Sequence, residues 1–157
     1  MSRATQQQDV CVLSAAKRGL SYLTPNDWTL IVDKAARRQF KKGDCIVEHT
    51  HPTHGMYLLL KGSASVQIVS QLAFTIGPGE ICGEISFLDG LPATAKVVAQ
   101  ESVEAYFLDQ PTLHTLFELF PHLGSRFYRS LATGLAYRMR TLLSPVSTTE
   151  QNSGVNH

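Results

Sequence analysis

Between residues 45 and 108 the apolar positions come in short runs: CIVE at 45–48, MYLLL at 56–60, ASVQIV at 64–69, AFTI at 73–76, TAKVVA at 94–99 and VEAYFL at 103–108. Turn formers separate them, namely Lys42-Gly43-Asp44, Lys61-Gly62, Gly77-Pro78-Gly79, and Asp89-Gly90 ahead of Pro92. Runs of this length, interrupted by glycine, predict antiparallel strands closed into a barrel or jelly roll. Parallel βαβ units would need helical segments between the runs, and the pattern holds none. On either side the period changes. VCVLSAA at 10–16, followed by Lys17, Arg18 and Gly19, predicts a helix that ends near Gly19. Thr24 as cap, Pro25 and Asp27 open a second helix, whose apolar face of Trp28, Leu30, Ile31 and Ala35 runs to about Arg38. Leu113, Leu116, Phe117 and Phe120 predict a helix over 112–120 that stops at Pro121. Leu123, Phe127, Leu131, Leu135 and Met139 then recur at every fourth position, predicting a helix over 122–143 that Gly124 and Gly134 weaken. The polar ends, 1–9 and 144–157, are expected to be disordered. The expectation is one domain over 10–143, mainly β with flanking helices: an antiparallel, jelly-roll-like β-roll with an N-terminal helix and a C-terminal helix pair.

Composition agrees with a single packed domain. The chain has 157 residues, 43% hydrophobic and 17% charged, which excludes global disorder. A formal charge of +1 gives no single-sign field, so a nucleic-acid binder is not expected. Cys11, Cys45 and Cys82 are odd in number and form no CxxC pair. That argues against a disulfide scaffold or zinc ribbon and for a reducing, cytoplasmic compartment. No apolar run approaches the roughly 18 residues of a membrane span, and MSRATQQQD lacks the apolar core of a secretory signal.

The stretch from Ile76 to Ala99 carries the most chemistry. Gly77, Gly79 and Gly83 permit tight turns, and Gly83 to Leu88 suits one short helical turn whose leading amides attract an anion. A strand follows at once, which would set the anion in a cleft between turn and sheet. Glu84 would repel a phosphate but could accept a hydrogen bond from a sugar hydroxyl, leaving the phosphate to the amides and Thr94. At these residues the chain resembles the cyclic nucleotide-binding domain family. The resemblance spans nearly all of 24–143. It rests on Phe40-x-x-Gly43-Asp44-x-Ile46, Met56-Tyr57, Gly62 and Val66, then on Gly77-x-Gly79-x-x-x-Gly83-Glu84 and Pro92-x-x-Ala95-x-Val97-x-Ala99.

That resemblance implies roles. Gly83, Glu84, Ile85 and Ser86 match the phosphate-binding cassette, with Glu84 as the carboxylate for the ribose 2′-hydroxyl. Thr94 matches a position where a hydroxyl can bind phosphate and favour guanine. The final helix, through Phe127, Leu131 and Leu135, matches a lid over the base that also serves as a partner contact. One departure stands out: the family's cassette arginine should lie between Pro92 and Thr94, and the residue there is Ala93. Losing an arginine–phosphate pair removes roughly 1.5–3 kcal/mol, about 10–150-fold in affinity. Lys96 is a weak substitute, because in a regular strand it faces away from position 93. Cys82, where an aromatic is usual, is a milder departure.

Other readings compete. Gly43, His49, His51 and Gly62 copy part of a cupin motif and would make a metal enzyme with the 49–54 histidines. The motif's glutamate is missing, however, and the next histidine is His114 in a helix, so His49, His51 and His54 read as an exposed loop. Arg126, Arg129, Arg138 and Arg140, with no acidic residue between 122 and 143, mark either a solvated face or a docking face for an acidic partner or a second copy. No GxSxG elbow is present, and Cys45 and Cys82 read as small core residues. The sequence therefore predicts a non-enzymatic regulatory or sensory domain without cofactor or metal. It would bind cAMP or cGMP with weakened affinity, and a ligand would reposition the 122–143 helix to signal. The alternative is a degenerate fold of the same type that contacts proteins independently of ligand. Only 14 residues follow the final helix, too few for a DNA-binding, channel or kinase domain. The expected partner is thus another protein or a second copy docking on the 122–143 helix.

Overall fold

The computed structural model describes residues 3–16, 18–68 and 71–144. Two helices, α1 (Arg3–Ala15) and α2 (Pro25–Lys34), lead into β1 (Ala36–Phe40), β2 (Cys45–Val47), β3 (Gly55–Lys61), β4 (Ala64–Ile68), β5 (Gln71–Ile76) and β6 (Ile81–Cys82). A short helix α3 (Glu84–Asp89) precedes β7 (Lys96–Ala99) and β8 (Val103–Asp109), and α4 (Gln110–Leu119) and α5 (Pro121–Leu143) close the chain. The strands form two four-stranded sheets, ordered β1-β8-β3-β6 and β2-β7-β4-β5. Every pairing is antiparallel. This is the expected β-roll with flanking helices.

The near-continuous apolar run of β3 follows from its position between two cores. Met56, Leu58 and Leu60 face the helices together with Trp28, Tyr106, Leu108 and Phe127. Leu59, from the opposite face of the strand, packs between the sheets with Ala64, Ile76 and Ala105. Alternation of period two thus serves two cores at once. The second helix opens as its sequence dictates. Thr24 Oγ1 accepts the Asp27 amide at 3.1 Å, and the Thr24 amide donates to Asp27 Oδ2 at 2.9 Å, a reciprocal capping box with Pro25 in the first turn.

Two expectations need correction, and one short strand was not expected. Residues 3–9 are not a loose start: the first helix begins at Arg3 and ends at Ala15, and Asp9 within it is buried, while 1–2 lie outside the described residues. The second helix stops at Lys34 rather than near Arg38, because 36–40 pair with β8 from Ala36↔Phe107 to Phe40↔Val103. Arg37 bonds Asp9 at 2.6 Å and Arg38 lies over the Phe107 ring at 5.1 Å, so this polar strand is held by tertiary partners, not by its own hydropathy. The two-residue β6 was too short to leave a pattern. Of the expected disordered tail, 145–157 lie outside the described residues. Among the described residues no helix is long and apolar enough to cross a membrane.

Candidate functional site

The β5–β6 turn brings the chain to the site. Glu80 Oε2 accepts the Gly77 amide at 2.7 Å, and the Gly79 amide donates to the Leu59 carbonyl at 2.7 Å. β6 then lies against β3 with Cys82 opposite Tyr57. The turn into α3 is made at Gly83, whose φ of 84° lies in the left-handed region. α3 is anchored by Phe87, which is buried and stacks on Tyr128 with ring centroids 6.1 Å apart. Beyond α3, Ala93 is pinned to the β2–β3 loop by two backbone bonds. Its amide donates to His51 at 3.1 Å, and its carbonyl accepts from Thr50 at 2.9 Å.

A cavity of about 80 Å³ lies where these segments meet, and Gly83, Glu84, Ile85, Ser86 and Thr94 all line it. Ala93 lines it too, so the position at which the resemblance leads one to expect an arginine does face the same space. Residues 93–95 precede β7 and are not in a strand, which is why Ala93, Thr94 and Ala95 can all reach the cavity despite strand parity. Lys96 does not line it; its charge acts on Glu48 and Cys45 instead.

The sequence assigned Arg138 to a solvated or docking face of the final helix and not to this site. This α5 residue lines the cavity, and its Nη1 donates to Glu84 Oε1 at 2.6 Å while Nη2 donates to the Ile81 carbonyl at 3.3 Å. Its guanidinium also lies 4.6 Å from the centre of the Phe74 ring. Glu84 is buried, and that burial pushes its carboxyl above the usual range against the opposing pull of Arg138. Cys82 beneath them is buried as well, which raises its thiol and suits a core residue rather than a nucleophile. A larger cavity of about 420 Å³ adjoins, sharing Phe74, Glu84 and Arg138 and bounded on the helix side by Leu131, Leu135 and Tyr137.

The reason for missing Arg138 is geometric. A residue every fourth position advances about 40° around a helix each time, so a stripe followed from Phe127 to Met139 drifts about 120° off its face. Met139 is accordingly exposed, whereas Arg138, seven residues after Leu131, returns to within about 20° of it. Phe127 and Leu131 belong to the chain's own core. As placed, they offer no face to a second copy, although Leu131 and Leu135 do wall the larger cavity. The basic docking face is likewise largely used internally. Arg126 forks onto Asp27 at 2.6 and 2.9 Å, Arg129 lies 4.1 Å over the Tyr22 ring, and Arg138 holds Glu84. His49, His51 and His54 are exposed in the β2–β3 loop. Among the described residues no cluster of three or more His, Cys, Asp or Glu side chains could hold a metal ion.

Comparison with known proteins bears on the family and the fold. A family model described as the cyclic nucleotide-binding domain matches residues 37–119, more than half of the chain. Cyclic GMP-binding protein C of Dictyostelium discoideum is 32% identical over 146 residues, 88% of this chain and 6% of that protein. The cAMP-dependent protein kinase regulatory subunit of Hypocrea atroviridis is 30% identical over 97 residues, 62% of this chain and 21% of that one. The chain thus spans only a small part of the length of either relative. Among solved structures, a cyclic nucleotide-binding domain from Methylobacillus flagellatus KT superposes with a TM-score of 0.77 at 20% identity, covering 88% of this chain and 80% of that one. At that identity the likeness speaks for the fold.

Proposed function

Because the chain belongs to the cyclic nucleotide-binding domain family, we propose that it is a regulatory module that binds a cyclic nucleotide between α3 and the segment before β7, and signals to a protein partner through α5. The observation that carries this reading is the convergence of Gly83, Glu84, Ser86 and Thr94 on one cavity, with a buried carboxylate at its wall. Glu84 accepts a hydrogen bond from the ribose 2′-hydroxyl, while the Thr94 hydroxyl and the amides leading into α3 take phosphate oxygens. The base extends into the adjoining cavity of about 420 Å³, a volume within the usual range for small-molecule sites. The role is binding, not turnover. Cyclic GMP is the preferred ligand in this reading, because Thr94 offers a hydroxyl and the relative matched over 88% of the chain is named for cyclic GMP.

A second reading has one observation in its favour, the uncharged Ala93: the fold would be kept for protein contact without any nucleotide. Titration calorimetry with cGMP, cAMP and a cGMP analogue lacking the ribose 2′-hydroxyl separates the two. Micromolar or tighter binding of the parent nucleotides, weakened in the analogue, is expected. No heat at millimolar nucleotide from protein whose circular dichroism is that of a folded domain would leave only the second reading.

A further inference from the structure

The geometry points to Arg138 of α5 as the residue that binds the ligand's phosphate in this chain, supplying from the C-terminal helix the positive charge that Ala93 lacks. This rests on the cyclic nucleotide reading of the cavity and adds to it a residue from outside the cassette.

Among the described residues, charge in the smaller cavity comes from two lining residues, Glu84 and Arg138. An anion entering beside Glu84 alone would meet a buried like charge, whereas beside the pair it meets a site whose charges already balance. Lys96, the nearest cation in sequence to Ala93, is not at the cavity. Arg138 is also fixed in place. Glu84 and the Ile81 carbonyl each accept one of its N–H groups, the Phe74 ring lies under its guanidinium, and its side chain is 22% exposed. A guanidinium carries five N–H donors. Two are used here, so three remain for phosphate oxygens without releasing Glu84. The planar fork makes arginine suited to holding a carboxylate and a phosphate together, and partial burial strengthens both contacts. In this arrangement Glu84 does two things: it accepts the ribose hydroxyl and aims the arginine.

The competing possibility is that Arg138 blocks Glu84, so that the ribose hydroxyl must displace it. The two make opposite predictions. Binding of cGMP and cAMP to the wild-type chain, Arg138→Ala, Arg138→Lys, Ala93→Arg and the Arg138→Ala/Ala93→Arg double variant would be compared by calorimetry, with thermal melts to verify folding. The expected result is that Arg138→Ala weakens binding by about 10–150-fold. Arg138→Lys should recover part of that loss, since an ammonium keeps the charge but not the fork. Ala93→Arg should restore about tenfold or more in the Arg138→Ala background and give a smaller gain in the wild type, because a cation already serves the phosphate there. Unchanged or tighter binding by Arg138→Ala overturns the inference. So does a loss that Ala93→Arg does not restore, because the arginine would then merely hold the helix. A wild-type chain that binds neither nucleotide removes the functional reading and this inference with it. Binding by the wild type with no effect at Arg138 removes this inference alone.

Discussion

Asp27 shows how much one side chain can hold in this fold. It closes the capping box of α2 by accepting the Thr24 amide, and it receives the fork of Arg126 from α5, ninety-nine residues on. Hydrogen bonds from Arg126 are the main cause that lowers its carboxyl below the usual range, with burial working the other way. A carboxylate depressed in the folded state stabilises above its unfolded value of about 3.9, and loses that contribution as pH falls through the lower folded value. Asp27→Asn is therefore expected to cost roughly 1–3 kcal/mol at neutral pH, with the gap from wild type closing as pH is lowered below about 4. Urea unfolding at a series of pH values measures this, and a gap that stays constant down to pH 3 would rule out the ion pair as its source. Thr24, Pro25 and Asp27 were legible as a helix start because capping is local. Arg126 as the partner was not, since nothing in the sequence links positions so far apart. Gly83 to Ser86 and Thr94, which line one cavity, were singled out by the glycine pattern and the family resemblance, whereas Arg138, the charged group that meets them there, comes from another element.

At the scale of elements, hydropathy found those that bury apolar faces and missed those fastened by polar side chains. The strands at 45–47, 55–61, 64–68, 71–76, 96–99 and 103–109 all fall on apolar runs. By contrast, α1 begins with RATQQQD, which shows no apolar stripe; Leu13 farther along packs into the core, and the early part of the helix is anchored by an acid. Asp9 Oδ2 accepts the Tyr106 hydroxyl at 2.5 Å and Arg37 Nη1 at 2.6 Å, tying α1 to β8 and β1 together. A buried aspartate reads as a surface residue to any hydropathy pattern, and β1, ARRQF, is hidden for the matching reason. Burial, together with the Asp9 contact, raises the Tyr106 hydroxyl, so it stays a donor at any ordinary pH. Asp9→Ala removes the shared acceptor and is expected to destabilise the fold by roughly 1–3 kcal/mol. Hydrogen exchange should then accelerate first in Arg3–Ala15, with β3 and β8 keeping most of their protection. Equal acceleration throughout the chain would mean that α1 is not a separately anchored unit.

For the whole molecule, the proposed signalling through α5 turns on the two unlike halves of that helix. Leu123, Phe127 and Leu131 are each at most 1% exposed and pack with Phe87, Leu113 and Leu116. Moving that half would open the core at several kcal/mol, more than a modest ligand supplies. The movement proposed for the 122–143 helix is therefore confined to its distal half. From Gly134 onward the packing thins: Leu135, Tyr137 and Arg138 face the larger cavity, while Met139, Leu142 and Leu143 are 58%, 62% and 73% exposed. Gly124 sits against Phe117, where an added Cβ would be 3.1 Å from its Cβ, but at Gly134 such an atom would meet nothing within 4 Å. Gly134 thus lowers helix propensity by about 1 kcal/mol without a packing return. The distal half is joined to the rest through Arg138 on Glu84 and through Arg18, which lies 4.5 Å over the Tyr137 ring. In the proposed reading, a ligand that engages Glu84 and Arg138 acts on the ion pair between α3 and the distal helix, and is expected to bias 134–143 while 121–131 stay fixed. Hydrogen exchange with saturating cyclic GMP is expected to change protection at 83–88 and 134–143 and to leave 121–131 as they were. At ligand a hundredfold above its Kd the fold should gain about 2.7 kcal/mol in stability. A change spread evenly from 121 to 143 would instead require the core around Phe127 to repack, and the signal would then travel through α4 and α5 as a unit.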